Sequence, residues 1–165
     1  VTICGHKIHG PKGVGALWVR AGINLEAPHG TLSQSAIMGL ATAAQNFHCP
    51  HIEKIHQYLV EHLPTNCRVN GINNNPYITN ILLPNIFGET VLNALSAQGI
   101  YVGLGSACAS HAKGNRTLEA MKLTPQQQKQ VLRISLGMDN TLEDIKTFLT
   151  ALEKILQAIS THNIF

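Results

Sequence analysis

Charge is scarce in this chain: only 13% of its residues are Asp, Glu, Lys or Arg, and they leave a formal net charge of +3. The basic residues are scattered, which excludes the dense cationic stripe of a nucleic-acid surface. No apolar run approaches the roughly 18–20 residues of a membrane span, and no segment reads as a signal peptide. There is no internal repeat and no low-complexity tract. The four cysteines, Cys4, Cys49, Cys67 and Cys108, have neither the paired spacing of a zinc ribbon nor the density of a disulfide scaffold, and read as reduced thiols of a cytosolic protein. No phosphate loop ending in Gly-Lys-Ser/Thr is present. The segment from Gly10 to Gly15 reads instead as a tight strand-to-strand turn whose glycines let the backbone approach a ligand. The chain opens at Val1, without a methionine and within an apolar strand. The expectation is the C-terminal part of something longer, or one chain of a split protein.

What is present is apolar material in periodic runs. With 165 residues, 44% of them hydrophobic, the chain can build one good core or two small lobes sharing one. A buried strand over Val1–Cys4 and a short strand over Gly15–Arg20 precede a turn-rich segment. A helix is expected from about Leu32 to Phe47, rich in small residues (Ala36, Gly39, Ala41, Ala43, Ala44) as suits close packing against another element. Pro50 breaks it, and Ile52, Ile55, Leu59 and Leu63 then mark an amphipathic helix. Strands follow at 67–69 and 78–83, and a helix over 88–98 is stopped by Gly99. Further expectations are a strand at Ile100–Val102, helices near 117–121 and 125–131, and a strand at Leu132–Leu136. Thr141 to Asp144 offers a capping-box start to a last helix, whose apolar stripe runs through Leu142, Ile145, Phe148, Leu149, Leu152, Ile155, Leu156 and Ile159. This order predicts an α/β fold with helices covering a small sheet.

Three residues stand out chemically. Lys7 follows the first strand in a glycine-punctuated turn. A lysine ending a buried strand is desolvated, which frees the neutral amine to form a Schiff base with an aldehyde; a plain surface lysine is the alternative. Cys108 sits in a loop of Gly, Ser and Ala beside His111, Lys113 and Arg116, cations that would stabilise a thiolate. Cys49 and Cys67, near the ends of their elements, read as buried structural thiols. Arg133 lies inside the apolar run 131–136. There it either faces a cleft to hold a carboxylate bidentately or faces water on an edge strand. The histidines around Pro50 (His48, His51, His56, His62) do not share one helix face, so no metal site is expected there.

Taken in order, these segments resemble the C-terminal portion of the cysteine desulfurases, the NifS-like branch of the class V aminotransferases, which are fold-type I pyridoxal phosphate enzymes. The stretch from Gly5 to Leu17 resembles the family's Schiff-base lysine segment. Gly105-Ser106-Ala107-Cys108 resembles its catalytic cysteine loop, and Leu132 to Gly137 its substrate-binding strand. The resemblance spans nearly the whole chain. It implies the end of the large cofactor domain over 1–47, including an interdomain helix, and a small C-terminal α/β domain over 48–165.

Carried over residue by residue, the resemblance makes Lys7 the lysine that holds pyridoxal 5'-phosphate and moves the proton at the substrate α-carbon. His6 would contact the cofactor phosphate, Thr31 would reach the phosphate of the neighbouring subunit, Cys108 would be the nucleophile, and Arg133 would clamp the substrate carboxylate. Cys4 stands where the family usually has a serine, which weakens one phosphate hydrogen bond. The family's Gly- and Arg-rich segment, which helps build the dimeric active site, is shortened here to residues 26–30. The family's ring-stacking histidine and the aspartate pairing with the pyridine nitrogen belong to the preceding half, so the chain alone is expected to be catalytically incomplete. The implied activity is removal of sulfur from L-cysteine as a Cys108 persulfide, giving alanine, in a cytoplasmic homodimer that passes sulfur to an acceptor protein for iron–sulfur or thio-modification pathways. The alternatives are a selenocysteine lyase or other class V lyase, and a non-catalytic lobe that binds a partner.

Overall fold

In a computed structural model of the chain, residues 1–26, 30–71, 75–105 and 115–162 are described. The chain divides into two compact units, Val1–Cys49 and Pro50–Phe165.

The first unit is a two-stranded antiparallel ribbon with one long helix. Strand β1 (Thr2–Cys4) pairs with β2 (Gly15–Leu17), with Thr2 opposite Leu17 and Cys4 opposite Gly15. The ladder runs one residue further through bonds between Val1 and Trp18, so β2 stops short of the expected Arg20. Between the strands lies a 3-10 turn, Gly5–Ile8, closed by His9 in the left-handed region (φ 64°). Helix α1 (Gln34–Gln45) starts at Ser33, whose Oγ accepts from the Ala36 amide at 3.4 Å. The small residues of α1 admit the turn: a Cβ on Gly39 would lie 2.5 Å from Pro11 Cγ, and one on Gly10 would lie 3.2 Å from Ala43 Cβ. One expectation fails here. The first strand is not buried; Ile3 is 42% exposed and Cys4 is exposed. A two-stranded ribbon has two faces, and among the described residues of this unit only Gly5 is buried, so nothing in the unit covers them.

The second unit holds the core. Helix α2 (Pro50–Glu61) begins at the proline that ends the preceding helix pattern and buries Ile52, Ile55 and Leu59. Strands β3 (Arg68–Asn70), β4 (Ile78–Leu82) and β5 (Val131–Ser135) form an antiparallel sheet in that order. Helix α3 (Gly88–Ser96) follows β4, while α4 (Arg116–Ala120) and α5 (Pro125–Gln128) precede β5. The long α6 (Leu142–His162) packs on α2 and α3, and α3 packs on β5. Its start is a capping box: Asp144 N donates to Thr141 Oγ1 at 3.2 Å and Thr141 N donates to Asp144 Oδ2 at 2.8 Å.

Strand alternation sorts the sheet into two faces. Thr79, Ile81, Leu132 and Ile134 share one face and are all buried. The other face carries Asn70, Asn80 and Arg133 in one row across the three strands. At one end of that polar face Val131 and Leu82 are covered by Leu118 and Leu123. The strand expected at Ile100–Val102 is absent. Tyr101 is 82% exposed, and only Gly103 reaches the sheet, exchanging backbone bonds with Arg133 at 2.9 and 2.7 Å.

Candidate functional site

Cys4, His6 and Lys7 come together through chain continuity on the turn between β1 and β2. The turn is pinned by Gly5 N donating to Val14 O at 2.9 Å and Gly10 N donating to Gly5 O at 2.8 Å. His6 and Lys7 are exposed, so the desolvation expected of a lysine ending a buried strand is not present at Lys7. Among the described residues no salt bridge engages its amine. The structure thus supplies a primary amine, an imidazole and a thiol on one short, backbone-fixed turn. Thr31 lies outside this cluster, exposed on the segment leading into α1.

In the second unit Arg133 is half-buried on the polar face of β5. Its Nη1 donates to Gly105 O at 3.0 Å. The rest of the guanidinium lies over Gly103, where a Cβ would fall 2.8 Å from Nη2 and 3.2 Å from Nε. Any residue larger than glycine there would push the fork away. Nε is buried and has no hydrogen-bond partner among the described residues. An arginine so held keeps an unpartnered Nε on its side-on edge, the edge through which a guanidinium pairs with a carboxylate. Gly105 also begins the loop that carries Cys108. That loop, residues 106–114, lies outside the described residues, and its far end is fixed by Asn115, whose Oδ1 caps α4 by accepting from Thr117 N and Leu118 N at 3.2 and 3.3 Å.

The remaining thiols and imidazoles have their own surroundings. Burial pushes the Cys67 thiol up to about 11, which keeps it protonated and unreactive. His51 Nε2 lies 3.0 Å from Met138 O, and His62 stacks on Tyr58 with ring centroids 3.9 Å apart. Among the described residues no group of three His, Cys, Asp or Glu side chains is arranged to hold a metal ion, and no helix is long and apolar enough to cross a membrane. The Asn70–Asn80 pair beside Arg133 is not visible as a motif. Only the strand register places it there.

Comparison with known proteins identifies the family. The chain is 33% identical over 184 residues to a cysteine desulfurase of Nostoc sp., and 26% identical over 184 residues to the cysteine desulfurase IscS of Dictyoglomus turgidum. These alignments cover 96% and 98% of this chain but 46% and 47% of the relatives, so the chain spans about half the length of the curated relatives it matches. Among solved structures, a NifS-like protein from Rickettsia africae superposes with a TM-score of 0.71 at 27% identity, over 94% of this chain and 47% of that one. Another NifS-like protein superposes with a TM-score of 0.69 at 28% identity. The model of the family described as aminotransferase class-V matches residues 22–148. With most of its length inside that match, the chain belongs to the class V aminotransferase family.

Proposed function

We propose that this chain is the C-terminal part of a pyridoxal phosphate-dependent cysteine desulfurase. The observation that carries the reading is the Arg133 cradle at the root of the Cys108 loop. The guanidinium packs on Gly103 and Gly105, and the thiol's loop starts at Gly105, so a substrate held by its carboxylate at Arg133 would sit at the root of the loop that bears the nucleophile. The naming of the curated relatives supports the same reaction.

The residues of the N-terminal turn fit the cofactor: Lys7 offers an exposed amine with no salt bridge among the described residues, and His6 beside it offers a phosphate donor. When bound, pyridoxal phosphate supplies an electron sink for the bonds at the substrate α-carbon. Lys7 would hold it and carry the proton at that carbon. Cys4 and Thr31 would add to the phosphate site, Thr31 from the neighbouring subunit of a homodimer. Arg133 would orient L-cysteine by its carboxylate. Cys108, as thiolate, would attack the substrate sulfur. The carbon–sulfur bond then breaks, its electron pair goes to the β-carbon, and a proton there completes alanine, leaving a persulfide on Cys108 for a sulfur-acceptor protein. In this reading residues 1–47 end the cofactor domain and 48–165 form the small domain. The other half of the enzyme supplies the remaining cofactor contacts, and the cytoplasm is the compartment.

Two measurements on the cofactor-loaded enzyme test the reading. Borohydride reduction and peptide mapping should place the pyridoxyl group on Lys7. Mass spectrometry after incubation with L-cysteine should find one extra sulfur on the Cys108 peptide, lost in Cys108→Ser and kept in Cys4→Ser. A label on another lysine removes Lys7 from its role. Desulfuration that survives in Cys108→Ser points instead to a lyase needing no cysteine.

A further inference from the structure

We propose that Asn80 is a second anchor for the substrate carboxylate beside Arg133, with Asn70 holding its amide in place; this rests on the carboxylate reading of Arg133 above. Arg133 spends both its backbone N–H and its C=O on Gly103, so it has neither left for β4. Its pairing with Asn80 is therefore a non-hydrogen-bonded pair, the arrangement in which opposed side chains approach most closely. Asn80 thus lies against one flank of Arg133 while Gly103 lies on the other.

The donors of this row can be counted. Asn70, which is 6% exposed, donates from Nδ2 to Asn80 Oδ1 at 2.7 Å. That bond uses the acceptor of Asn80 and leaves its two N–H donors. Arg133 uses Nη1 on Gly105 O, and among the described residues its Nε has no partner. None of the strand residues on this face is acidic, so no side chain of the sheet competes for these donors. The row Asn70–Asn80–Arg133–Gly103 therefore sets the Asn80 amide donors and the Arg133 guanidinium side by side, held from both ends. A carboxylate seated side-on at Arg133 would meet the Asn80 amide with an oxygen lone pair to spare. A neutral donor suits that position because a second cation would repel the guanidinium.

The test uses the 165-residue chain itself, isotopically labelled for NMR. It is titrated with 3-mercaptopropionate, a thiol-bearing carboxylate, and with the matching amide as control. The Arg133 Nε–H and Asn80 Nδ2–H resonances should shift together along one binding curve with the acid and stay fixed with the amide. Asn80→Ala should weaken the acid's apparent Kd about tenfold, the loss of one hydrogen bond to a charged group. Arg133→Lys should weaken it further. If the Arg133 resonance shifts while those of Asn80 stay fixed, the second anchor is overturned and the role of Arg133 stands. If neither shifts, both fail. The resonance measurement on the parent chain decides the question even if the Asn80 variant does not fold.

Discussion

His56 and Thr79 each bury a polar atom without a partner among the described residues, and each has a measurable consequence. His56 Nε2 is orphaned on α2, and burial lowers the ring's pKa below its usual 6.5. The folded state therefore resists protonation more than the unfolded chain does. As pH falls below about 6.5 the unfolded state binds the proton first, and stability declines until the folded-state value is passed. The melting temperature should drop between pH 7 and 5, and His56→Leu should flatten that slope; an unchanged slope would assign the acid sensitivity elsewhere. Thr79 is 1% exposed on the inner face of β4, and its hydroxyl has no partner. Valine has the same shape without the unmet polar group, so Thr79→Val should stabilise the fold by about 1 kcal/mol in denaturant titration. A destabilised variant would mean that the hydroxyl is bonded.

At the scale of elements, α6 is the main buttress of the second unit. It buries Ile145, Phe148, Leu149, Leu152, Ile155 and Leu156 against its neighbours. Leu152, fully buried at its middle, should cost roughly 2–5 kcal/mol as Leu152→Ala, because truncation loses transfer energy and leaves a cavity. A loss below about 1 kcal/mol would show that the site collapses to fill the gap. This helix was fully legible in the sequence, since its apolar stripe has the helical period and its cap is local. Leu142, 41% exposed at the cap, and Ile159, half-buried near the far end, depart from the stripe. Ile100–Val102 was misread for the opposite reason. Three apolar residues look like a strand, but strand formation depends on a partner edge, and only Gly103 reaches one. The candidate site divides the same way. Lys7, Cys108 and Arg133 stand in local motifs and could be picked out from sequence. The Asn70–Asn80–Arg133 row depends on cross-strand register, which no single segment encodes.

At the scale of the whole molecule, the two units differ sharply in how much apolar surface they bury. Every buried apolar side chain among the described residues lies in the second unit, from Ile52 to Leu156. In the first unit Ile3, Leu17, Trp18, Ile37 and Met38 are all more than 40% exposed, and α1 buries none of its residues. Local stability follows burial, so the hydrogen bonds of the first unit have little to protect them when the chain is alone. Hydrogen exchange on the isolated chain should therefore leave β4, β5 and α6 amides protected for the longest times, while α1, β1 and β2 amides exchange orders of magnitude faster. On the proposed function, adding the preceding half should slow the first unit selectively, because covering those exposed side chains removes apolar area from water at about 25 cal/mol per Å². Protection of α1 equal to that of α6 in the chain alone would refute this division. It would mean that the first unit's apolar side chains are covered in solution, for instance by a second copy of the chain, and a concentration series of the same exchange experiment would identify that copy.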